Sequence, residues 1–216
     1  MPDYWFISDT HFRHRNIIKY CGRPFYSIEE HDEILIKNWN GLVKPGDVVW
    51  HHGDLGFFKS VEEANRLLSR LNGQIHLIKG NHDSSRLMKK FKVAELLMLK
   101  EWRVPPSNVK MISMCHYPMD TYRGSHRGEW HTHGHTHAML GRGHRLRLDV
   151  GVDCKDGKKY KVPKDKSARR KAEQATFRPL HLDEVVAEFR RQEKAGWMSE
   201  VEKHDFPDWK NRQEEE

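Results

Sequence analysis

The chain has little cysteine and no long apolar run, and its first residues do not read as an export signal. Its three cysteines, Cys21, Cys115 and Cys154, stand at irregular spacing in 216 residues. An odd, scattered set makes neither a disulfide framework nor a thiolate metal site, and it points to a reduced, intracellular setting. No stretch approaches the ~18 consecutive apolar residues of a membrane-spanning helix, and the N-terminal residues contain no apolar h-region of a signal peptide. The expectation is a cytoplasmic protein without membrane contact. Enough apolar residues are present, however, to exclude a disordered chain: 37% are hydrophobic and 10% aromatic. The length suits one domain with a core that needs no covalent staples.

The formal charge is +7, and it is unevenly spread. Residues 155–176 hold nine Lys/Arg and three Asp/Glu, a local excess of +6, whereas the C-terminus closes on Glu214, Glu215 and Glu216. The expected organisation is a domain over 1–196 that carries a basic insertion at 155–176, followed by a charged tail over 197–216. A basic segment suits nucleic-acid phosphates. A solvated charge run is the alternative, because Tyr160 is its only aromatic residue.

The first eighty residues alternate strand and helix. Tyr4 to Ser8 is an apolar run cut off by polar residues, which reads as a buried strand. Ser27 with Glu30 forms a capping-box pattern and opens a helix to about Trp39; Ser60 with Glu63 opens another through Leu71, closed by Asn72-Gly73. Val48–Trp50 and Ile75–Ile78 read as further strands. This order implies a parallel α/β arrangement. Beyond it the spacing predicts strands over Val93–Leu99, Val109–Cys115, Trp130–His133 and Arg145–Val150, then a helix or helix-strand element from Leu182 to Arg191.

Chemically unusual residues fall just after these strands, where open α/β sheets bind their ligands. Asp9 and His11 follow the first; two residues apart on an extended segment, they could share one cation, or be a capping aspartate and a surface histidine. Gly53-Asp54 follows the second, as a close backbone approach with a bridging carboxylate or as an ordinary turn. Gly80-Asn81-His82-Asp83 follows the third. Asn81 offers a neutral oxygen, His82 an acid or base near neutral pH, and Asp83 either a partner for His82 or a loop cap. His116 ends an apolar run, and Gly134-His135-Thr136-His137 repeats the i, i+2 spacing with two imidazoles. Each block has a plain structural reading, but five together, each at a strand end, favour a metal site. His131, His133, the tandem His51-His52 and the run Arg13-His14-Arg15 remain open between site contacts and packing or solvated loop.

These five blocks, in this order, resemble the calcineurin-like metallophosphoesterase superfamily. Asp9-Thr10-His11-Phe12, Asn16-Ile17-Ile18, Arg23-Pro24-Phe25 and Val150-Gly151-Val152-Asp153 look like its small bacterial and phage branch. The resemblance covers roughly residues 3–153 and resumes near Arg178-Pro179-Leu180. Arg13 stands where that branch usually has a small residue, often glycine, and His52 where an apolar residue is common. The resemblance implies an α/β fold with a central β-sandwich flanked by helices, in four αββα layers. It also implies two metal sites: Asp9, His11, Asp54 and His137 at one, Asp54, Asn81, His116 and His135 at the other, bridged by Asp54. His82 would face the substrate as general acid, with Asp83 fixing its tautomer or capping its loop.

The implied cofactors are two divalent metal ions. The N/O donor set, without a thiolate, suits Mn²⁺, Fe, Co²⁺, Ni²⁺ or Zn²⁺ better than a soft metal; the resemblance puts Mn²⁺ first, with Mg²⁺ a further alternative. The implied activity is hydrolysis of a phosphodiester or phosphomonoester by a metal-activated hydroxide. Two alternatives differ in kind: a nuclease guided by 155–176, and a non-catalytic scaffold on the same fold.

Overall fold

A computed structural model describes residues 1–105, 110–140, 146–155, 158–159 and 176–196. The first sheet is built from β1 (Tyr4–Ile7), β2 (Val48–His51), β3 (Gln74–Ile78) and β4 (Glu95–Leu97), all parallel, with the short β11 (Leu180–His181) antiparallel on the outer side of β1. The second sheet runs in the order β5 (Leu99–Arg103), β6 (Met111–Cys115), β7 (Trp130–His133), β8 (Arg147–Asp149), with β5 antiparallel and the rest parallel. A two-stranded ladder joins β9 (Cys154–Lys155) to β10 (Lys158–Lys159). The fold is α/β, two sheets flanked by helices.

Alternating side chains on the first sheet divide between two cores. Trp5, Ile7, Val49, Ile75 and Leu77 pack under α2 (Ile28–Asn40) and α3 (Val61–Leu68), against Leu35, Trp39 and Leu67. Phe6, Trp50 and Ile78 instead meet Ile112, Met114, Trp130 and Leu148 of the second sheet. The last helix, α5 (Leu182–Lys194), adds Val185 and Phe189 to this inter-sheet core, and Phe189 stacks on Trp130 at 4.8 Å. Both serine caps form: Ser27 Oγ accepts from Glu30 N and Ser60 Oγ from Glu63 N. The cap glutamates reach one residue further back than a capping box requires, to the N–H groups of Tyr26 and Lys59.

Four details differ from the sequence reading. The run Val93–Leu99 is not one strand; it divides at Met98, so that β4 joins the first sheet and β5 the second. The α3 helix stops at Leu68, and its exit tightens into turns from Leu67 and Leu68 to Arg70 and Leu71. Two short helices, α1 (Ile17–Cys21) and α4 (Ser85–Met88), are too brief to show a helical period in sequence. Most of the expected basic insertion, and the tail from 197, lie outside the described residues. Among the described residues no helix is long and apolar enough to cross a membrane.

His131 is a structural histidine inside this frame. Its Nδ1 donates to Ser113 O at 2.7 Å, and its Nε2 accepts from Met119 N at 3.0 Å. Protonating Nε2 would cost the bond from Met119 N, and the Tyr117 carbonyl 3.2 Å away would offset only part of the burial penalty. Burial accordingly pushes its pKa down to about 4, with His133 adding to the shift. The unfolded chain gains this proton near pH 6.5 while the folded chain does not, so stability falls as pH drops from about 6.5 towards 4. At pH 5.5 this one group should cost on the order of 1 kcal/mol. The destabilisation caused by His131→Gln in urea unfolding should therefore shrink by about that amount between pH 7.5 and 5.5. A difference independent of pH would contradict the neutral, buried assignment.

Candidate metal centre

Parallel strands bring their carboxyl ends to one edge, and the loops that leave those ends build the site. Asp9 and His11 leave β1, Asp54 leaves β2, Asn81 and His82 leave β3, His116 leaves β6, and His135 and His137 leave β7. The two sheets are stitched at this edge by a bridge between Ser8 and Gly151. The i, i+2 pairs do not lie on extended chain, as their spacing suggested. Asp9, His11, Asp54, His135 and His137 all adopt left-handed backbone, with φ of 55°, 50°, 53°, 68° and 46°. Such conformations are uncommon for non-glycine residues and gather at functional sites. Arg13 is left-handed too, φ 64°, which accounts for the small residue usual at this position in the branch it resembles.

Two glycines permit the convergence. Gly53 has φ 95°, and a Cβ there would lie 2.5 Å from Gly80 N and 2.9 Å from His116 Nδ1. A Cβ on Gly134 would collide with Ser8 Oγ and Asp9 Oδ2. The loops after β2 and β3 thus meet backbone to backbone, and the Gly134 backbone lies against the side chains of Ser8 and Asp9.

The seven side chains form two adjoining groups. Asp9, His11 and His137 offer ligand atoms within 4.8 Å of one another, and so do Asp54, His116 and His135. Asp54 lies between them: its Oδ2 is 3.6 Å from His11 Nε2 and 3.5 Å from His116 Nε2. Asn81 Oδ1 is 2.8 Å from both His116 Nε2 and His135 Nδ1. His116 Nδ1 donates to His52 O at 2.7 Å, an orientation that aims Nε2 at Asp54 and Asn81. Asp9 Oδ1 and His11 Nε2 are buried and have no hydrogen-bond partner among the described residues. Orphaned buried acceptors carry a desolvation penalty of ~1–3 kcal/mol or more, and a divalent cation is what such a set of N and O donors fits.

Electrostatics agree with that fit. Burial drives His11 far down, with the Arg23 charge adding to the effect, so its imidazole stays neutral and able to ligate. Burial pushes Asp9 up to about 8, reinforced by Asp149 and Asp54 and opposed by His137. Burial pulls His137 down, but its contacts with Asp153 and Cys21 and the Asp9 charge outweigh this and lift it to about 11. A cation displaces protons from its ligands and relieves both groups.

A buried arginine holds the first group from behind, in a role not read from the sequence. The guanidinium of Arg23 donates to both oxygens of Asp153, at 2.9 and 2.7 Å, and to the carbonyls of Asp9 (2.7 Å) and Thr10 (3.0 Å). Asp153 in turn accepts from His137 Nδ1 at 2.6 Å, which turns Nε2 towards Asp9, 3.9 Å away. Both residues lie in motifs noted above, but nothing in their spacing pairs positions 130 apart. Asp149 steadies the same loop by accepting from Thr136 Oγ1 and Ala138 N.

The remaining candidates separate cleanly. His82 is exposed; its N–H donates to Asp54 Oδ1 at 2.8 Å, and its ring lies 5.5 Å from that of His11. Asp83 does not hydrogen-bond to His82. Its carboxylate accepts from the N–H groups of Asp54, Leu55 and Gly80, so its contacts support the loop-holding alternative, and the α4 cap is Ser84. Arg13 is engaged by Asp32 and Glu63. His14 stacks on Phe57 with centroids 3.9 Å apart and brings its Nδ1 to 3.3 Å from His11 Nδ1. His52 accepts from Thr132 Oγ1 and His51 from Gly53 N, so both are satisfied packing residues.

Outer hydrogen bonds of this kind typically govern ~10–100-fold in metal affinity. Asp153→Asn should weaken calorimetric metal binding by roughly that factor while the metal-free fold survives. Unchanged affinity would leave Arg23 and Asp153 with a purely structural role.

The model of the calcineurin-like phosphoesterase family matches residues 3–135. An uncharacterized protein of Methanocaldococcus jannaschii is 37% identical over 187 residues, 86% of this chain and 90% of that protein. The gene 66 protein of Mycobacterium phage L5 is 29% identical over 71% of this chain and 88% of its own length. A solved protein of unknown function from Aquifex aeolicus shares the fold at a TM-score of 0.62 and 21% identity, covering 87% of this chain and 99% of its own. With its Asp and His clusters placed at the strand ends, the chain belongs to the calcineurin-like phosphoesterase family.

Proposed function

We propose that the chain hydrolyses phosphodiester or phosphomonoester bonds with two divalent metal ions, Mn²⁺ being the leading candidate. Asp9, His11, Asp54 and His137 would hold one ion, and Asp54, Asn81, His116 and His135 the other. The observation that carries this reading is the position of Asp54 Oδ2, about equally far from one imidazole of each group. Bound ions would supply an activated water and a positive field for the phosphoryl oxygens.

The protein's own groups do the rest. Hydrolysis replaces the ester P–O bond with one from water, and the leaving oxygen needs a proton. His82 is the exposed imidazole next to the His11 group, and its backbone is fixed by the bond from its N–H to Asp54. As general acid it would contribute ~10²–10⁴-fold. Asp83 acts through the backbone by keeping the loops after β2 and β3 in contact.

Two substitutions separate binding from chemistry. Asp54→Ala should lose bound metal, measured by elemental analysis, together with turnover of an aryl phosphate ester. His82→Ala should retain the metal and lose ~10²–10⁴-fold in kcat. Full activity in Asp54→Ala would overturn the two-metal scheme, and unchanged kcat in His82→Ala would remove the general-acid role.

A further inference from the structure

His82 faces two ways. Its ring is 5.5 Å from His11, and it also forms a wall of a separate cleft of about 270 Å³. The cleft lies between the loop after β2 and the short helix α4, lined chiefly by Phe57, Phe58, His82, Ser84, Leu87 and Phe91. Phe58 and Phe91 meet edge to face at 5.8 Å and pack against the core beneath α3, so that wall is anchored. Phe57 is 39% exposed, stacks on His14 and stands 5.3 Å from the His82 ring. Among the described residues the lining has one carboxylate, Asp83, which is occupied by three backbone N–H groups, and no lysine or arginine.

A general acid must touch the oxygen that leaves, so the group attached to that oxygen lies beside His82. The surface available there is aromatic and uncharged. It could not neutralise a further run of phosphates, which a nucleic-acid strand would bring. The volume falls just short of the ~300–1,000 Å³ of a whole ligand site, which suits one ring system with its phosphate held elsewhere. We propose that this cleft is the leaving-group subsite and that it selects esters whose leaving group is a flat, uncharged aromatic ring, sandwiched against Phe57 and the Phe58–Phe91 wall. The inference rests on the phosphoesterase reading given above.

Non-hydrolysable phosphonates test it by binding alone. Phenylphosphonate and methylphosphonate carry the same acid group, so calorimetry on the Mn²⁺-loaded full chain reads the ring separately from the metal centre. Aromatic stacking of this kind should give phenylphosphonate a preference of about tenfold or more. Phe57→Ala removes the platform. Ser84→Leu fills the cleft from an exposed position whose hydroxyl makes no cap hydrogen bond. Each should reduce the preference to less than about threefold, with the loss confined to the phenyl compound and metal content unchanged. Equal affinities in the wild type, or a preference that survives both substitutions, would overturn the subsite while leaving the phosphoesterase reading intact. Failure of the metal-loaded chain to bind either phosphonate would overturn both.

Discussion

The carboxylate of Asp54 is the constraint around which the site is organised. One oxygen fixes the loop after β3 by accepting from His82 N; the other faces imidazoles that leave β1 and β6. Its own N–H is held by Asp83, and its backbone is left-handed. The residue therefore spans three strand ends and both sheets, and it cannot shift without moving each of them. Burial keeps the His11 imidazole neutral while Asp153 and Asp9 hold His137 charged, so attraction between fixed charges gathers only part of the group. Loop geometry brings the acceptors together, against their mutual repulsion.

That geometry is costly. Non-glycine residues in sparsely populated backbone regions cost ~1–3 kcal/mol each, and five candidate ligands share this state. Acceptor atoms without donors add to the penalty. Only a scaffold with stability to spare can hold such a cluster, and the two-sided first sheet provides it. Each of its central strands contributes side chains to two separate cores, so the strand ends are anchored from both faces. The Arg23 fork and the Asp149 loop contacts then set individual ligands at the rim.

Much of this was legible in the sequence. The first three strands, both serine caps and the five polar blocks could be placed because each depends on local pattern: apolar runs, a serine three residues before a glutamate, or a glycine before a ligand-type side chain. What could not be read depends on partners far away in the chain. Arg23 could be read only as part of the Arg23-Pro24-Phe25 motif, because its four acceptor oxygens come from Asp9, Thr10 and Asp153, in two stretches more than a hundred residues apart. The reason offered for Asp9 and His11 facing together, an extended strand, was mistaken, since both are left-handed. The run from Val93 to Leu99 concealed a change of sheet because a period-two pattern does not record which neighbour a strand pairs with. Asp83 was ambiguous for a related reason, as a carboxylate beside a histidine looks the same whether it bonds to the ring or to the backbone.

The division of the candidate ligands between the sheets has a mechanical corollary. Asp9, His11, Asp54 and Asn81 hang from the first sheet; His116, His135 and His137 hang from the second. Apart from the inter-sheet core, this rim is joined by short links such as the Ser8–Gly151 bridge. A cation held there would rivet the two layers together, and its free energy of binding would count towards cohesion of the whole sandwich. Scarcity of the ion would then loosen the seam as well as idle the chemistry, so the same shortage would govern how long the protein lasts and how fast it works.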